Sequence, residues 1–383
     1  MALLRGLGTG VGLGLGVGVG ASAAGAAGIG WFYSSVLLDT SSRPVYPERV
    51  LAADSRTVTL TSTRLTAQPG TWGLRWAVRG TGTEALSVIG PILAERRREV
   101  VRPLLAGPVP QPGTAAVLDT GPYDPDPGAR NLAFDDVEVP GPLGTYPAWA
   151  VPAPGDAVAD TWVVMVHGRG GSRREALRIL PALHERGFAQ LVVTYRNDEG
   201  APASPDGFYH LGDTEWEDVA AAVRYATEYG ARRVVLFSWS MGGAITGAFL
   251  DRAPEASAVA AVVWDAPLVD WRATLRQQAR NRRLPPGLSP LAGAVTSRRI
   301  GIDFDRFDLR RHPPATRPPT LVIHSAGDTA VPVSASRALA AAAPELDWPM
   351  RYLEVPDVEH TASWNADPRA YERAVTSFLR EVL

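Results

Sequence analysis

The sequence predicts an α/β fold: a doubly wound, mostly parallel sheet from about residue 131 to the C-terminus, carrying a cap insertion and preceded by a small β-rich N-terminal region. Three observations predict it. From Leu132 onward, short apolar runs rich in β-branched residues alternate with segments of helical period, the pattern of buried parallel strands and their crossover helices. Between Asp39 and Asn131 the runs alternate residue by residue and are broken by Gly and Pro, as in exposed antiparallel sheets. A composition of 45% hydrophobic and 20% charged residues over 383 positions supplies a core for one large domain and a smaller one.

Residues 1–38 read as a membrane anchor or signal segment. No charged side chain lies between Arg5 and Asp39, and about 20 apolar residues suffice to cross a bilayer. The small residues Ala21-Ser22-Ala23 resemble a signal-peptidase site, which would make the segment a cleaved signal. Arg5 on the amino side favours a cytoplasmic N-terminus, so the remainder is expected to be membrane-anchored or exported and extracytoplasmic. The glycines from Gly6 to Gly20 do not form a dinucleotide-binding turn, because no strand precedes them.

Residues 39–130 read as a β-rich accessory region and linker. Thr57–Leu60 and Trp72–Val78 are expected strands, Ala94–Leu105 an expected helical piece, and Gly107–Gly128 a linker rich in Pro and Gly. No motif there has a chemical rationale.

Residues 131–383 form the expected main domain. Phe134–Val139 and Tyr146–Val151 pattern as a hairpin. Strands are expected at Trp162–Val166, Gln190–Thr194, Arg233–Phe237, Val259–Trp264, Thr320–His324 and Arg351–Val355. Thr214 and Glu217 have capping-box spacing ahead of a helix whose Trp216, Val219 and Val223 share one face and which ends at Gly230. Residues 271–318 read as the cap insertion. Its arginines, Arg272, Arg276, Arg280, Arg282 and Arg283, either shape a pocket or form a solvated helix face.

Composition excludes several chemistries. With no cysteine there is no thiolate nucleophile, disulfide or zinc–thiolate site. The six histidines lack close ligand spacing, so no metal is expected. A net charge of -2 gives no reason to expect nucleic acid as a partner.

One constellation carries chemistry. After the Arg233–Phe237 strand the chain reads Ser238-Trp239-Ser240-Met241-Gly242-Gly243 and then turns helical. A serine at a sharp strand-to-helix turn has its hydroxyl pushed away from the sheet, and small flanking residues let strand and helix approach. Ser238 stands where glycine is usual. A serine hydroxyl needs a base, and the base needs an orienting carboxylate. Asp328, in Ser325-Ala326-Gly327-Asp328 after one strand, and His360, in Pro356-Asp357-Val358-Glu359-His360 after the next, supply them in the order Ser, Asp, His. Asp265 and Asp270, after the Val259–Trp264 strand, are second candidates for the acid. The glycine-rich turn His167-Gly168-Arg169-Gly170-Gly171 places the Arg169 N–H, with that of Met241, as the expected oxyanion donors. His167 precedes the turn and reads as structural. Trp239 and Trp364 flank the candidate residues and read as core.

The H-G-x-G-G turn, the S-W-S-M-G-G elbow, the G-D-x-x-V-P acid turn and the E-H-T-x-S-W-N segment resemble bacterial α/β-hydrolases, in the carboxylesterase and prolyl-oligopeptidase-like branch. The resemblance covers Leu132 to Leu383. It implies the α/β-hydrolase fold and cofactor-free hydrolysis through an acyl-enzyme. The motifs do not specify the substrate, and the leading reading is an ester or thioester of a small-molecule acyl substrate. It also implies the roles of nucleophile for Ser240, acid for Asp328 and base for His360. Relatives that cleave peptides usually carry a large β-propeller of repeated blades. Only about ninety residues without a repeat precede this domain, which favours esters but leaves an aminopeptidase open. A catalytically silent binding protein on the same scaffold is the alternative of another class.

Overall fold

A computed structural model describes residues 23–41, 45–78, 80–121, 125–155, 159–285 and 287–383. The Gly6–Gly20 run and most of the Ala21-Ser22-Ala23 site therefore lie outside the described residues. The carboxyl part of the uncharged run is helix α1 (Ala23–Leu38). Among the described residues no helix is long and apolar enough to cross a membrane.

The β-rich region contains β1 (Glu48–Ala53), β2 (Thr57–Thr61), β3 (Trp72–Ala77), β4 (Glu84–Ile89), β5 (Ala94–Arg96), β6 (Glu99–Ala106) and β7 (Ala115–Asp119). All pairings are antiparallel, in the order β2-β1-β7-β3-β4-β6-β5, and β2 also pairs with β6. That last pairing closes the sheet into a small barrel with β5 as a flap. Two expectations are corrected here. Ala94–Leu105 is a hairpin and not a helix: Pro103 has no N–H for a helical bond and sits opposite Thr57 in the β2–β6 ladder. The stretch expected as a linker contributes β7, which pairs with β1 and β3.

The second sheet has the predicted doubly wound form. After the hairpin β8 (Asp135–Gly141) and β9 (Gly144–Val151) come β10 (Thr161–Val166), α2 (Leu180–His184), β11 (Ala189–Val193), α3 (Trp216–Glu228), β12 (Arg233–Trp239) and α4 (Met241–Arg252). Then follow β13 (Val259–Asp265), α5 (Trp271–Asn281), α6 (Leu288–Ile300), β14 (Thr320–Ser325), α7 (Val333–Ala342), β15 (Met350–Val355), α8 (Ser363–Ala366) and α9 (Pro368–Val382). The strand order is β15-β14-β13-β12-β10-β11-β9-β8, parallel from β15 through β11 and antiparallel at β9 and β8. Side chains of a strand alternate between faces. Val164 and Val166 of β10 pack with α3 and α4, while Val163 and Met165 pack with α2 and α9. Each face is thus covered by helices, which is why the central strands are largely apolar, whereas the edge strand β15 carries exposed Arg351 and Glu354.

The expected capping box does not form. Helix α3 starts after Glu215, and the Thr214 hydroxyl has no hydrogen-bond partner among the described residues. The buried carboxylate of Glu215 instead accepts the N–H groups of His210 and Gly212 at 2.7 and 2.9 Å. Glu217 pairs with Arg196 at 2.9 Å.

Candidate active site

In a doubly wound sheet, ligands bind beyond the carboxyl ends of the strands where the winding reverses. Here β10 is followed by β11 on one side and β12 on the other. The turn after β10 and the turn after β12 meet at that switch point. Gly168 lies against Ser240 so closely that a Cβ on it would sit 2.9 Å from the serine Cβ.

Ser240 connects β12 to α4 with φ 52° and ψ −119°, a conformation costing about 1–3 kcal/mol for a residue with a side chain. Neighbouring backbone holds it there. The Ser240 N–H donates to the Asp265 carbonyl at 3.1 Å, and the Ser240 carbonyl accepts from Leu268 N–H at 2.9 Å. A Cβ on Gly242 would fall 2.4 Å from the Val166 carbonyl oxygen, so glycine is required at that crossing. Ser238 is tolerated because its hydroxyl finds the Thr246 hydroxyl at 3.0 Å.

The structure brings Ser240, His360 and Asp328 into one hydrogen-bonded line. His360 Nε2 is 2.7 Å from Ser240 Oγ, and His360 Nδ1 is 2.6 Å from Asp328 Oδ2. An ionised carboxylate only accepts, which assigns the imidazole proton to Nδ1 and leaves Nε2 to accept from the serine hydroxyl. Ser240 is partly exposed, while His360 and Asp328 are buried.

Asp328 is held as an anion. Burial alone would raise its carboxyl, but the charges and hydrogen bonds of His360 and His324 outweigh that and hold it well below the usual carboxylate range. Its other oxygen accepts the N–H groups of Ala330 and Val331 at 2.7 and 2.8 Å. Burial pulls His360 down, but the Asp328 charge and hydrogen bond prevail and raise it above the ordinary imidazole value.

The remaining expected residues fall as follows. Met241 opens α4, where helix N–H groups lack intrahelical partners. The Arg169 backbone follows Gly168 at the switch point, and its guanidinium turns away to accept nothing and donate to the Val36, Leu37 and Asp39 carbonyls at 2.9, 3.0 and 3.1 Å. His167 is buried with Nε2 2.8 Å from Asp198 and makes no bond to Ser240. Neither second candidate for the acid bonds His360. Asp265 accepts from Tyr371 Oη at 2.9 Å, and Asp270 caps α5 by accepting the Ala273 N–H at 2.8 Å. Trp239 and Trp364 are core.

In the cap insertion, Arg272, Arg276, Arg280 and Arg283 face solvent, with Arg282 half-buried. The opposite side of α5 works on the acid turn. Gln277 donates to the Asp328 carbonyl at 3.2 Å, Gln278 to those of Thr329 and Ala330 at 3.2 and 2.6 Å, and Asn281 to Thr329 at 2.7 Å. Helix α6 packs on α1, where Arg299 donates to the Ser34 and Ser35 hydroxyls at 3.1 and 2.9 Å and lies over the Trp31 ring.

Sequence reasoning missed His324. It lies fully buried on β14, with Nε2 3.1 Å from Asp328 Oδ2 and Nδ1 2.8 Å from Ser336 Oγ. The available signal was a polar ring inside an apolar strand, four residues before a candidate acid; such a group must find a partner when buried.

Two family models match separate parts of the chain. The family model described as the prolyl oligopeptidase family matches residues 179–383. A domain of unknown function (DUF8805) matches residues 49–119, the barrel. The uncharacterized protein MT2364 of Mycobacterium tuberculosis (strain CDC 1551 / Oshkosh) is 27% identical over 310 residues, covering 78% of this chain and 92% of its own. The uncharacterized protein YfhR of Escherichia coli (strain K12) is 26% identical over 243 residues, 62% of this chain and 76% of its own. Among solved structures, the Pyrococcus furiosus esterase Pf2001 in space group P212121 superimposes with a TM-score of 0.53 at 18% identity, covering 68% of this chain and 95% of that one. That likeness shows the α/β-hydrolase fold.

Proposed function

Because this chain belongs to the prolyl oligopeptidase family and has the α/β-hydrolase fold, we propose that it is a serine hydrolase cleaving a carboxylic ester or thioester through an acyl-enzyme. The observation that carries this reading is the line from Ser240 Oγ through His360 to Asp328, at 2.7 and 2.6 Å. His360 Nε2 takes the hydroxyl proton as Oγ bonds to the acyl carbon. The charge on the acyl oxygen is met by the N–H groups of Arg169 and Met241, each worth on the order of 3 kcal/mol. As the carbon–leaving-group bond breaks, the imidazolium returns its proton to the leaving oxygen or sulfur. Water then repeats the sequence, releasing the acid and restoring Ser240.

Family membership favours a second reading, a serine peptidase of the aminopeptidase type. Against it stands the small barrel, which occupies the place where peptide-cleaving relatives would be expected to carry a propeller. The test is turnover of p-nitrophenyl esters of increasing chain length beside aminoacyl p-nitroanilides. Ester turnover that is lost in Ser240→Ala supports the proposal. Turnover of the anilides alone selects the peptidase, and turnover of neither selects a silent scaffold.

The uncharged run between Arg5 and Asp39 supports a further part of the proposal, that residues 1–38 are a membrane anchor or signal segment, so that the enzyme is membrane-anchored or exported. A reporter active only in oxidising compartments, fused after Leu383, is expected to work. Activity of a cytoplasmic reporter alone contradicts this.

A further inference from the structure

The loop that carries His360 has its apolar side chains in the barrel. Val358 and Ala362, on either side of the histidine, are buried in the same cluster as Val50, Leu60, Trp72 and Leu74. The loop is also strained, with Asp357 at φ 33° and Thr361 at φ 56°. Such conformations persist only where the surroundings over-determine them.

Polar contacts cross at the same place. Gln68 Oε1 accepts the Glu359 N–H at 2.8 Å, while Gln68 Nε2 donates to the Arg64 carbonyl at 3.1 Å, which fixes the amide the right way round. Arg64 Nε pairs with Glu359 Oε1 at 2.9 Å, and Arg64 Nη2 donates to the Gly327 carbonyl at 2.5 Å. The buried Glu359 carboxylate also accepts from Thr329 Oγ1, at 3.0 and 2.8 Å to its two oxygens. Beyond the histidine, Asn365 Nδ2 donates to the Thr71 and Thr120 carbonyls at 2.7 and 2.9 Å. The segment supplying Gln68 is itself pinned: the buried Arg102 guanidinium donates to the carbonyls of Thr66, Gln68, Gly70 and Gly90.

We propose that the barrel positions the histidine: Gln68 and Arg64, acting through Glu359, hold His360 within hydrogen-bonding reach of Ser240 and Asp328. Glu359 ties three things together, since it adjoins His360, accepts from Arg64 and donates its N–H to Gln68 of the barrel, and accepts from Thr329 of the acid turn. The inference rests on the reading of His360 as the general base. Displacing a catalytic group by about 1 Å costs on the order of 100-fold in rate, so a loop set by a neighbouring domain makes that domain part of the catalytic apparatus without touching substrate.

The test uses the full chain carrying Gln68→Leu, Arg64→Met or Arg64→Lys, with kcat and KM on the best ester and the second-order rate of fluorophosphonate labelling. Gln68→Leu is expected to lower kcat and the labelling rate in parallel by about 10- to 100-fold, with KM within about twofold. It should also broaden the downfield proton resonance of the His360 Nδ1–H. Arg64→Met is expected to act in the same direction and Arg64→Lys to recover most of the loss. The Arg64 side chain is half-exposed, so the Arg64 variants carry the test if Gln68→Leu does not fold. Wild-type kcat and labelling rate in folded variants of either residue overturn the proposal, as does a change confined to KM. A wild-type protein that is neither labelled nor active instead defeats the reading of Ser240 and His360 themselves.

Discussion

His324 and His360 share one oxygen of Asp328: their ring nitrogens lie 3.1 and 2.6 Å from Oδ2. The ionised acid accepts from both, and the Ser336 hydroxyl at 2.8 Å completes the second imidazole. His324 thus draws off part of the negative charge that orients His360. His324→Leu is expected to lower kcat about 10-fold, the scale of one lost hydrogen bond to a charged group. Leaving the carboxylate more basic should also move the acid limb of the pH profile upward. An unchanged profile contradicts this role.

The pH dependence of the reaction follows from the raised His360 value. In the proposed mechanism His360 must be neutral to act as the base, so kcat/KM is expected to fall as pH drops through a midpoint above about 6.5. Stability runs the other way. The charged pair with Asp328 stabilises the fold fully below the unfolded imidazole value and loses that contribution as pH rises through the folded one. Asp328→Asn removes the cause of the shift. Its residual activity should be orders of magnitude lower, with the midpoint moved downward; a midpoint unmoved in this variant refutes the assignment.

Asp265 is a buried carboxyl at the end of β13, with one oxygen that has no partner among the described residues. Burial, opposed by Arg178 and the Tyr371 hydrogen bond, pushes it up from 3.8 to about 6. Its ionised form therefore destabilises the fold at neutral pH, by up to about 3 kcal/mol. Asp265→Asn is expected to raise the urea midpoint at pH 7.5, with the difference vanishing below about pH 4, where both states of the wild type are protonated. Activity should stay within a few-fold. Loss of labelling in this variant would make Asp265 the acid.

The Arg169 side chain and backbone have separate work. The guanidinium closes the carboxyl end of α1 on the carbonyls of Val36, Leu37 and Asp39. Arg169→Met keeps the backbone N–H and removes those bonds. Hydrogen exchange of peptides spanning residues 34–40 should accelerate at least 10-fold while fluorophosphonate labelling stays within a few-fold. Unaltered exchange there means that the bonds from Arg169 do not hold the end of α1.

Much of this was legible in the sequence because it is written locally. The central parallel strands are mostly apolar runs, and Ser240, Asp328 and His360 each follow a parallel strand. What was not legible depends on partners remote in the chain. Val358 and Ala362 look like loop residues until the barrel is seen to enclose them. Nothing in Gln68 marks it for a backbone N–H 291 positions later. Thr214 and Glu217 have the spacing of a capping box, but Arg196 claims Glu217 and Glu215 takes the turn's N–H groups. The Ala94–Leu105 stretch has apolar residues at helical spacing, yet its pairing with β2 across a closed barrel decides the outcome.

The central claim is that Ser240 is activated by His360 and Asp328. It is tested most directly by treating the intact protein with a fluorophosphonate and locating the adduct by peptide mass spectrometry. A single adduct on the peptide containing Ser240, absent in Ser240→Ala and slowed by orders of magnitude in His360→Ala, is the expected result. An adduct on another residue, or undiminished labelling in either folded variant, contradicts it.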